Sequence, residues 1–204
     1  MNGFISFEGI DGAGKSTLAN RLAGWLTASN LPATLTHEPG GTELGKSIRN
    51  LVLSTPASTQ AEFLLYAADR AEHAQTLIWP NLEAGNFVIC DRYLDSSLAY
   101  QGYGRGLDLA WIRTVSKDLP VPQLTFLLDL PPPTGLQRQK QHNKFEALGI
   151  DFLERVRQGY LEIAREEPER IVVLDALNSP VRLMELIQQE VKRRWPNSSG
   201  SLSL

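Results

Sequence analysis

The sequence predicts an α/β fold: a five-stranded parallel sheet with helices on both faces. Three observations lead there. Short apolar runs alternate with longer segments of helical periodicity, which is the pattern of strand–helix–strand units. The stretch Gly9-Ile10-Asp11-Gly12-Ala13-Gly14-Lys15-Ser16 matches G-x-x-x-x-G-K-[ST] and lies between such a strand and such a helix. The remaining polar residues of interest follow the ends of the apolar runs, where ligands gather in open parallel sheets.

Each element has a local reason. Phe4-Ile5-Ser6-Phe7 is short and apolar, the first strand. From Thr17 to Thr27, Leu18, Leu22 and Leu26 recur at four-residue steps on one helix face. Ala33 to His37 reads as the second strand, and Glu38-Pro39-Gly40-Gly41-Thr42 as a turn. Thr42 is placed to cap a helix running to about Leu53, which Thr55-Pro56 breaks. A long helical stretch runs from about Thr59 to Ala84 and ends at Gly85-Asn86. Phe87 to Cys90 is a buried strand that stops at Asp91. Asp95 to Tyr100 reads as helix, and Gly102-Tyr103-Gly104-Arg105-Gly106 as a flexible loop. Leu109 to Leu119 is a helix, and Gln123 to Asp129 a strand cut off by Pro131-Pro132-Pro133. A polar, basic segment follows. A helix from about Asp151 to Arg165, a strand over Ile171 to Leu174 and a helix from Pro180 to Trp195 complete the chain. Residues 1–195 are expected to form one domain, and 196–204, rich in Ser and Asn, a disordered tail.

Bulk properties narrow the function. The formal net charge of −3 over 204 residues argues against a general nucleic-acid binder. The single cysteine, Cys90, lies in an apolar run and reads as a buried, inert thiol. No apolar run approaches membrane-spanning length and no signal-peptide pattern opens the chain, so the expectation is a cytoplasmic protein without a membrane partner.

The chemistry starts at Gly9 to Ser16. Glycines let the backbone turn so that successive N–H groups point at phosphate oxygens, and the following helix adds its positive end. Lys15 would reach the β- and γ-phosphates, Ser16 would ligate Mg²⁺, and Thr17 would help to hold the α-phosphate. Asp91 closes a strand where a carboxylate can orient Mg²⁺; the other reading is a cap for the next turn. Arg92 follows and suits a moving phosphoryl group, or a surface ion pair. Arg138, Lys140, His142 and Lys144 alternate with polar residues, either a solvated face or a cationic lid that closes over a triphosphate and excludes water.

Several stretches in order carry a family resemblance. They are Phe7-Glu8-Gly9 through Thr17, Glu38-Pro39-Gly40-Gly41-Thr42, Tyr66-Ala67-Ala68-Asp69-Arg70, Asp91-Arg92-Tyr93 through Gly102, Phe145-Glu146, and Val156 through Tyr160. With them the chain resembles the thymidylate kinase family from Phe4 to about Trp195. The resemblance implies a P-loop nucleoside monophosphate kinase-like three-layer fold with a mobile lid over about 132–148. It implies transfer from MgATP to dTMP, giving ADP and dTDP, and a homodimer. It places ATP on Gly9, Ile10, Asp11, Gly12, Ala13, Gly14, Lys15, Ser16 and Thr17. It gives Asp11 the deoxyribose 3′-hydroxyl, and gives Arg49 and Arg92 the dTMP phosphate. Tyr66 would stack on thymine, Arg70 would donate to a thymine carbonyl, and Ser97 and Gln101 would read the base edge. Tyr100 would crowd the sugar 2′ position. Glu38 fits near Mg²⁺ or as a helix cap. Gly12 in the P-loop, together with Arg138, Lys140 and Lys144, resembles the bacterial type in which the lid supplies the catalytic cations.

The chain departs from the family's pattern twice. His37 stands where an Arg is usual, and Asn143-Lys144-Phe145-Glu146 where the family reads Asp-Arg-Phe-Glu. Two rivals are a kinase for another nucleotide or deoxynucleoside, and a nucleotide-dependent switch. The second lacks the Asn-Lys-x-Asp base reader in its expected place.

Overall fold

The computed structural model describes residues 3–138 and 148–196. Five strands form one parallel sheet in the order β2-β3-β1-β4-β5. They are β1 (Gly3–Glu8), β2 (Ala33–His37), β3 (Phe87–Asp91), β4 (Leu124–Asp129) and β5 (Ile171–Asp175). Strand β1 is central and buried along its whole length, its apolar Phe4, Ile5 and Phe7 packed under helices that cover both faces, while its buried Ser6 hydroxyl pairs with Thr125 Oγ1 at 2.7 Å. The core runs from Ile5, Phe7 and Phe126 in the sheet to Leu18, Leu22, Val156 and Ile163 on the flanking helices.

Register decides which strand ends meet. Phe7 of β1 pairs with Asp91 of β3, and His37 of β2 pairs with Asp91 from the other side. The loops after β1, β2 and β3 therefore open at one level of the sheet.

The helices are α1 (Lys15–Ala28), α2 (Glu43–Ser54), α3 (Thr59–His73), α4 (Trp79–Glu83), α5 (Leu94–Ser97), α6 (Leu109–Val115), α7 (Pro132–Arg138), α8 (Ile150–Glu166) and α9 (Pro180–Arg194). Thr42 caps α2 by accepting from the Gly45 N–H at 2.9 Å.

Four local expectations are corrected. The long helix from Thr59 widens into a π-helical segment over Ala74–Ile78 before α4. The expected flexible loop at Gly102 to Gly106 is in its first part helical, because a π-helical segment over Leu98–Gly104 continues α5. It is held against α8, where a Cβ on Gly104 would meet Phe152 at 2.7 Å and one on Gly159 would meet Tyr103 at 2.5 Å. Helix α6 stops at Val115 rather than Leu119. The prolines after β4 start a helix: α7 begins at Pro132, where a missing N–H costs nothing in the first turn. Part of the expected lid is therefore a seated helix. Lys140, His142 and Lys144 lie outside the described residues, as does the tail beyond Pro196.

Candidate active site

Two clefts open at the carboxyl ends of the strands. One, of about 680 Å³, is lined by Asp11, Glu38, Arg49, Tyr66, Arg70, Arg92, Ser97, Tyr100 and Gln101, among others. The other, of about 800 Å³, is lined by Lys15, Ser16, His37 and Asp91, among others. Asp11, Glu38, Arg49 and Arg92 line both.

The second cleft is built from backbone. Gly9, Gly12 and Gly14 have positive φ. Gly9 also lies so close to β4 that a Cβ would come within 2.5 Å of the Leu128 carbonyl oxygen. Gly14 caps α1 with no side-chain hydrogen bond, and the first turn carries no acidic residue. The leading N–H groups of a 14-residue helix are thus left to an anion. Lys15 is buried; its Nζ donates to the Ile10 carbonyl oxygen at 2.9 Å and lies 3.4 Å from Asp11 Oδ1. Burial first, then the Arg92 charge, lowers the Lys15 pKa from its ordinary value, against the pull of Asp11 and Asp91. Thr17 is exposed as the third residue of α1.

Ser16 Oγ donates to Asp91 Oδ2, while Asp91 Oδ1 is buried with no hydrogen-bond partner. A hydroxyl beside an unspent carboxylate oxygen is a hard-oxygen donor set that fits Mg²⁺, which takes one or two protein oxygens and fills its shell with phosphates and water. Among the described residues no group of three or more His, Cys, Asp or Glu forms a metal site of its own.

Arg92 sits between the clefts in the left-handed region, φ 71°. A non-glycine residue there costs about 1–2 kcal/mol and needs fixing from both sides. Its own N–H donates to the Phe7 carbonyl oxygen at 2.9 Å, and the next N–H, of Tyr93, donates to Glu8 Oε1 at 2.7 Å. The guanidinium pairs with Asp11 and reaches the Gly9 carbonyl oxygen at 3.0 Å, Ser96 Oγ at 3.2 Å and the hydroxyls of Tyr160 and Tyr100 at 3.3 and 3.4 Å.

Glu8 is the residue sequence reasoning missed. It is fully buried and accepts from Tyr93 N, from Ser96 Oγ at 2.6 Å and from Tyr160 at 3.0 Å. Burial first, then the Asp95 charge, pushes its carboxyl up to about 7. The available signal was a carboxylate ending a mostly apolar strand, since acids are almost never buried unpaired.

The first cleft is built from charged side chains locked in pairs. Arg70 Nε donates to Glu38 Oε2 at 2.8 Å, and Nη2 donates to Ser97 Oγ at 3.1 Å and the Tyr93 carbonyl oxygen at 3.3 Å. Glu38 is thus neither a helix cap nor a free surface acid. Gln101 Nε2 donates to the buried Glu62 Oε1 at 2.9 Å, which fixes the orientation of its amide. Arg49 Nη1 donates to the Pro39 carbonyl oxygen at 2.9 Å. Tyr66 is half-buried beside the core and lines the cleft.

The remaining expected residues fall as follows. Arg138 on α7 donates to the Ala176 carbonyl oxygen at 3.1 Å and the Gly12 carbonyl oxygen at 3.5 Å, tying α7 to the P-loop. His37 lines the Lys15 cleft, and burial first, then Arg49, lowers its pKa from the ordinary value. Cys90 is fully buried, and burial pushes its thiol up.

Comparison with known proteins agrees over most of the chain. A family model described as thymidylate kinase matches residues 7–187. A thymidylate kinase from Desulfovibrio desulfuricans is 45% identical over 193 residues, covering 87% of this chain and 89% of its own. One from Carboxydothermus hydrogenoformans is 48% identical over 178 residues, covering 83% and 87%. The crystal structure of a thymidylate kinase from Ehrlichia chaffeensis superposes with a TM-score of 0.77 at 34% identity, covering 91% of this chain and 98% of that one.

Proposed function

The chain belongs to the thymidylate kinase family, and from that premise we propose how its residues perform the reaction. It phosphorylates dTMP with ATP, giving dTDP and ADP, a step towards dTTP. Family members use ATP with a divalent metal; Mg²⁺ is the ion that fits Ser16 and Asp91. The observation that carries the site assignment is the meeting of two clefts at Asp11, Glu38, Arg49 and Arg92. One cleft offers backbone N–H groups and a lysine, and the other offers paired side chains and an aromatic ring.

The P-loop N–H groups and Lys15 hold the ATP phosphates, with Thr17 beside the α-phosphate. Arg49 and Arg92 hold the acceptor phosphate, and Arg92 lies where the transferring group passes. Ser16 and Asp91 would hold Mg²⁺, which would supply neutralisation of the triphosphate's charge. No strong base is needed, because the acceptor phosphate is already largely ionised near neutral pH. Positioning and fixed positive charge do the catalysis.

On the base side, Tyr66 gives thymine a face to stack on. Arg70 Nη1 is buried without a partner and is the donor available to the C4 carbonyl. Gln101 offers its amide oxygen to the N3–H, and Ser97 lies alongside. Asp11 takes the 3′-hydroxyl, and Tyr100 crowds the 2′ position. Arg138 carries the seated end of a lid that extends to about residue 148, with Lys140 and Lys144 as its further cations. The single kinase domain over 1–195, a cytoplasmic location and a homodimer belong to the same proposal. Among the described residues no helix is long and apolar enough to cross a membrane, and exposed Leu44, Leu51 and Leu64 on α2 and α3 offer a second copy an apolar face.

The test is ADP release with MgATP and a panel of dTMP, dUMP, UMP, dCMP, AMP and GMP. The expected result is a strong preference for dTMP. Preference for another monophosphate would discard the Arg70, Ser97 and Gln101 assignments.

A further inference from the structure

Behind Arg70 lies a buried polar chain that phosphoryl transfer does not use. His73 sits three residues further along α3 and is completely buried. Its Nδ1 is 2.8 Å from Glu38 Oε1 and its Nε2 is 2.7 Å from Thr36 Oγ1 on β2. An ionised carboxylate only accepts, so Nδ1 carries the proton and donates to Glu38. Glu38 is then held by both oxygens, Oε1 by His73 and Oε2 by Arg70 Nε at 2.8 Å.

The loop bearing Glu38 is fixed on this cluster. Asp69 Oδ1 accepts from the Gly40 N–H at 3.0 Å. A Cβ on Gly41 would come within 2.7 Å of Thr36 Oγ1 and 2.8 Å of His73 Nε2, so the loop backbone rests directly on the Thr36–His73 pair.

Arg70 is left with one free nitrogen. Nε is spent on Glu38 and Nη2 on Ser97 and the Tyr93 carbonyl, while Nη1 is buried and unpartnered. Were Oε1 of Glu38 released, the carboxylate would be free to turn about its remaining bond to Arg70 Nε and the guanidinium with it, which would move Nη1 from its present direction.

We propose that His73 is a positioning residue for base recognition: anchored on Thr36 and donating to Glu38, it fixes the carboxylate that aims Arg70 Nη1 into the monophosphate cleft. This rests on the reading that Arg70 meets the base carbonyl. A donor in that place favours a 4-oxo base over a 4-amino base, so His73 acts on discrimination as well as on binding.

The test compares dTMP with 5-methyl-dCMP, which keeps the methyl group and exchanges the oxygen for an amine. His73→Ala should raise KM for dTMP and lower the ratio of kcat/KM for dTMP over 5-methyl-dCMP, each about tenfold, with KM for ATP within about twofold. His73→Asn, whose amide N–H stands in for Nδ1–H, should recover most of the ratio. Thr36→Val should lower the ratio about threefold, and it serves if His73→Ala does not fold. A His73→Ala enzyme that is merely less stable, with both monophosphates slowed equally and the ratio unchanged, overturns the proposal. An unchanged ratio in Thr36→Val does so if His73→Ala does not fold. Arg70→Ala separates the two layers. If it leaves the ratio intact, the base reading fails and takes this inference with it. If it collapses the ratio while the His73 and Thr36 variants do not, only this inference fails.

Discussion

The two clefts are built by opposite means. The P-loop side centres on one contiguous stretch, Gly9 to Ser16, and its donors are Lys15 and the backbone N–H groups of a helix end with no side-chain cap. The monophosphate side draws on β1, the loop after β2, α2, α3 and the segment from Arg92 to Gln101, and its donors are side chains buried in ion pairs. A polyphosphate presents many equivalent oxygens, so a local array of fixed dipoles suffices. A base must be told apart by one carbonyl, so its donor has to be locked by partners, and those partners are buried charges. Function and stability should therefore be separable on the first side and entangled on the second.

Four substitutions probe that contrast. Lys15→Ala should lower kcat by about a thousandfold or more, roughly 4 kcal/mol of transition-state stabilisation, with little change in melting temperature. Rapid-quench kinetics and thermal melts would show both; a large loss of stability would break the contrast. Arg70→Ala should lower kcat/KM for dTMP about a hundredfold, and also destabilise the fold by roughly 3 kcal/mol, because Glu38 is left buried beside a lost partner. Denaturant titration alongside steady-state kinetics measures the two losses. Asp91→Asn should raise the Mg²⁺ concentration for half-maximal rate about tenfold and leave KM for dTMP within about twofold, read from a metal titration at saturating substrates.

The smallest effect is in pH. The folded Glu8 carboxyl titrates at about 7, above its ordinary 4.5, because burial first and Asp95 second disfavour its charge. The folded state then holds a proton that the unfolded chain has released. The contribution of Glu8 to stability is complete below about 4.5 and is lost as pH rises towards 7. Glu8→Gln removes this term, so the stability difference between wild type and variant should move against the wild type by up to about 3 kcal/mol from pH 4.5 to pH 8. Equilibrium unfolding at a series of pH values reads it, and parallel curves would refute it. Asp69, pushed up to about 6 by burial and then by Glu38, acts in the same sense in wild type and variant alike.

The same contrast explains what was legible in the sequence. The P-loop could be read because its geometry is local: glycines, a lysine and a hydroxyl at fixed spacing. The strands could be read because burial on both faces demands unbroken apolar runs, as in Phe87 to Cys90. The residues quoted for the monophosphate site came from a resemblance, and all of them line one cleft. Their supports were not legible. Glu8, Ser96 and Tyr160 form one cluster only because the Phe7–Asp91 register and the packing of α8 bring them together. His73 reads as an ordinary helical residue until β2 places Thr36 against it. The prolines of α7 and the glycines of the π-helical segment pointed to breaks, and tertiary packing overrode those local preferences. Lys140 and Lys144 lie outside the described residues, so of the cations expected for a lid Arg138 alone is described.

The most direct test of the division is calorimetric binding of dTMP with no ATP and no Mg²⁺. A cleft assembled from its own buried pairs should bind dTMP alone. Lys15→Ala should then change Kd by no more than about threefold, while Arg70→Ala should weaken it about thirtyfold or more. Binding that appears only after nucleotide is added, or a Lys15→Ala loss as large as that of Arg70→Ala, would contradict it.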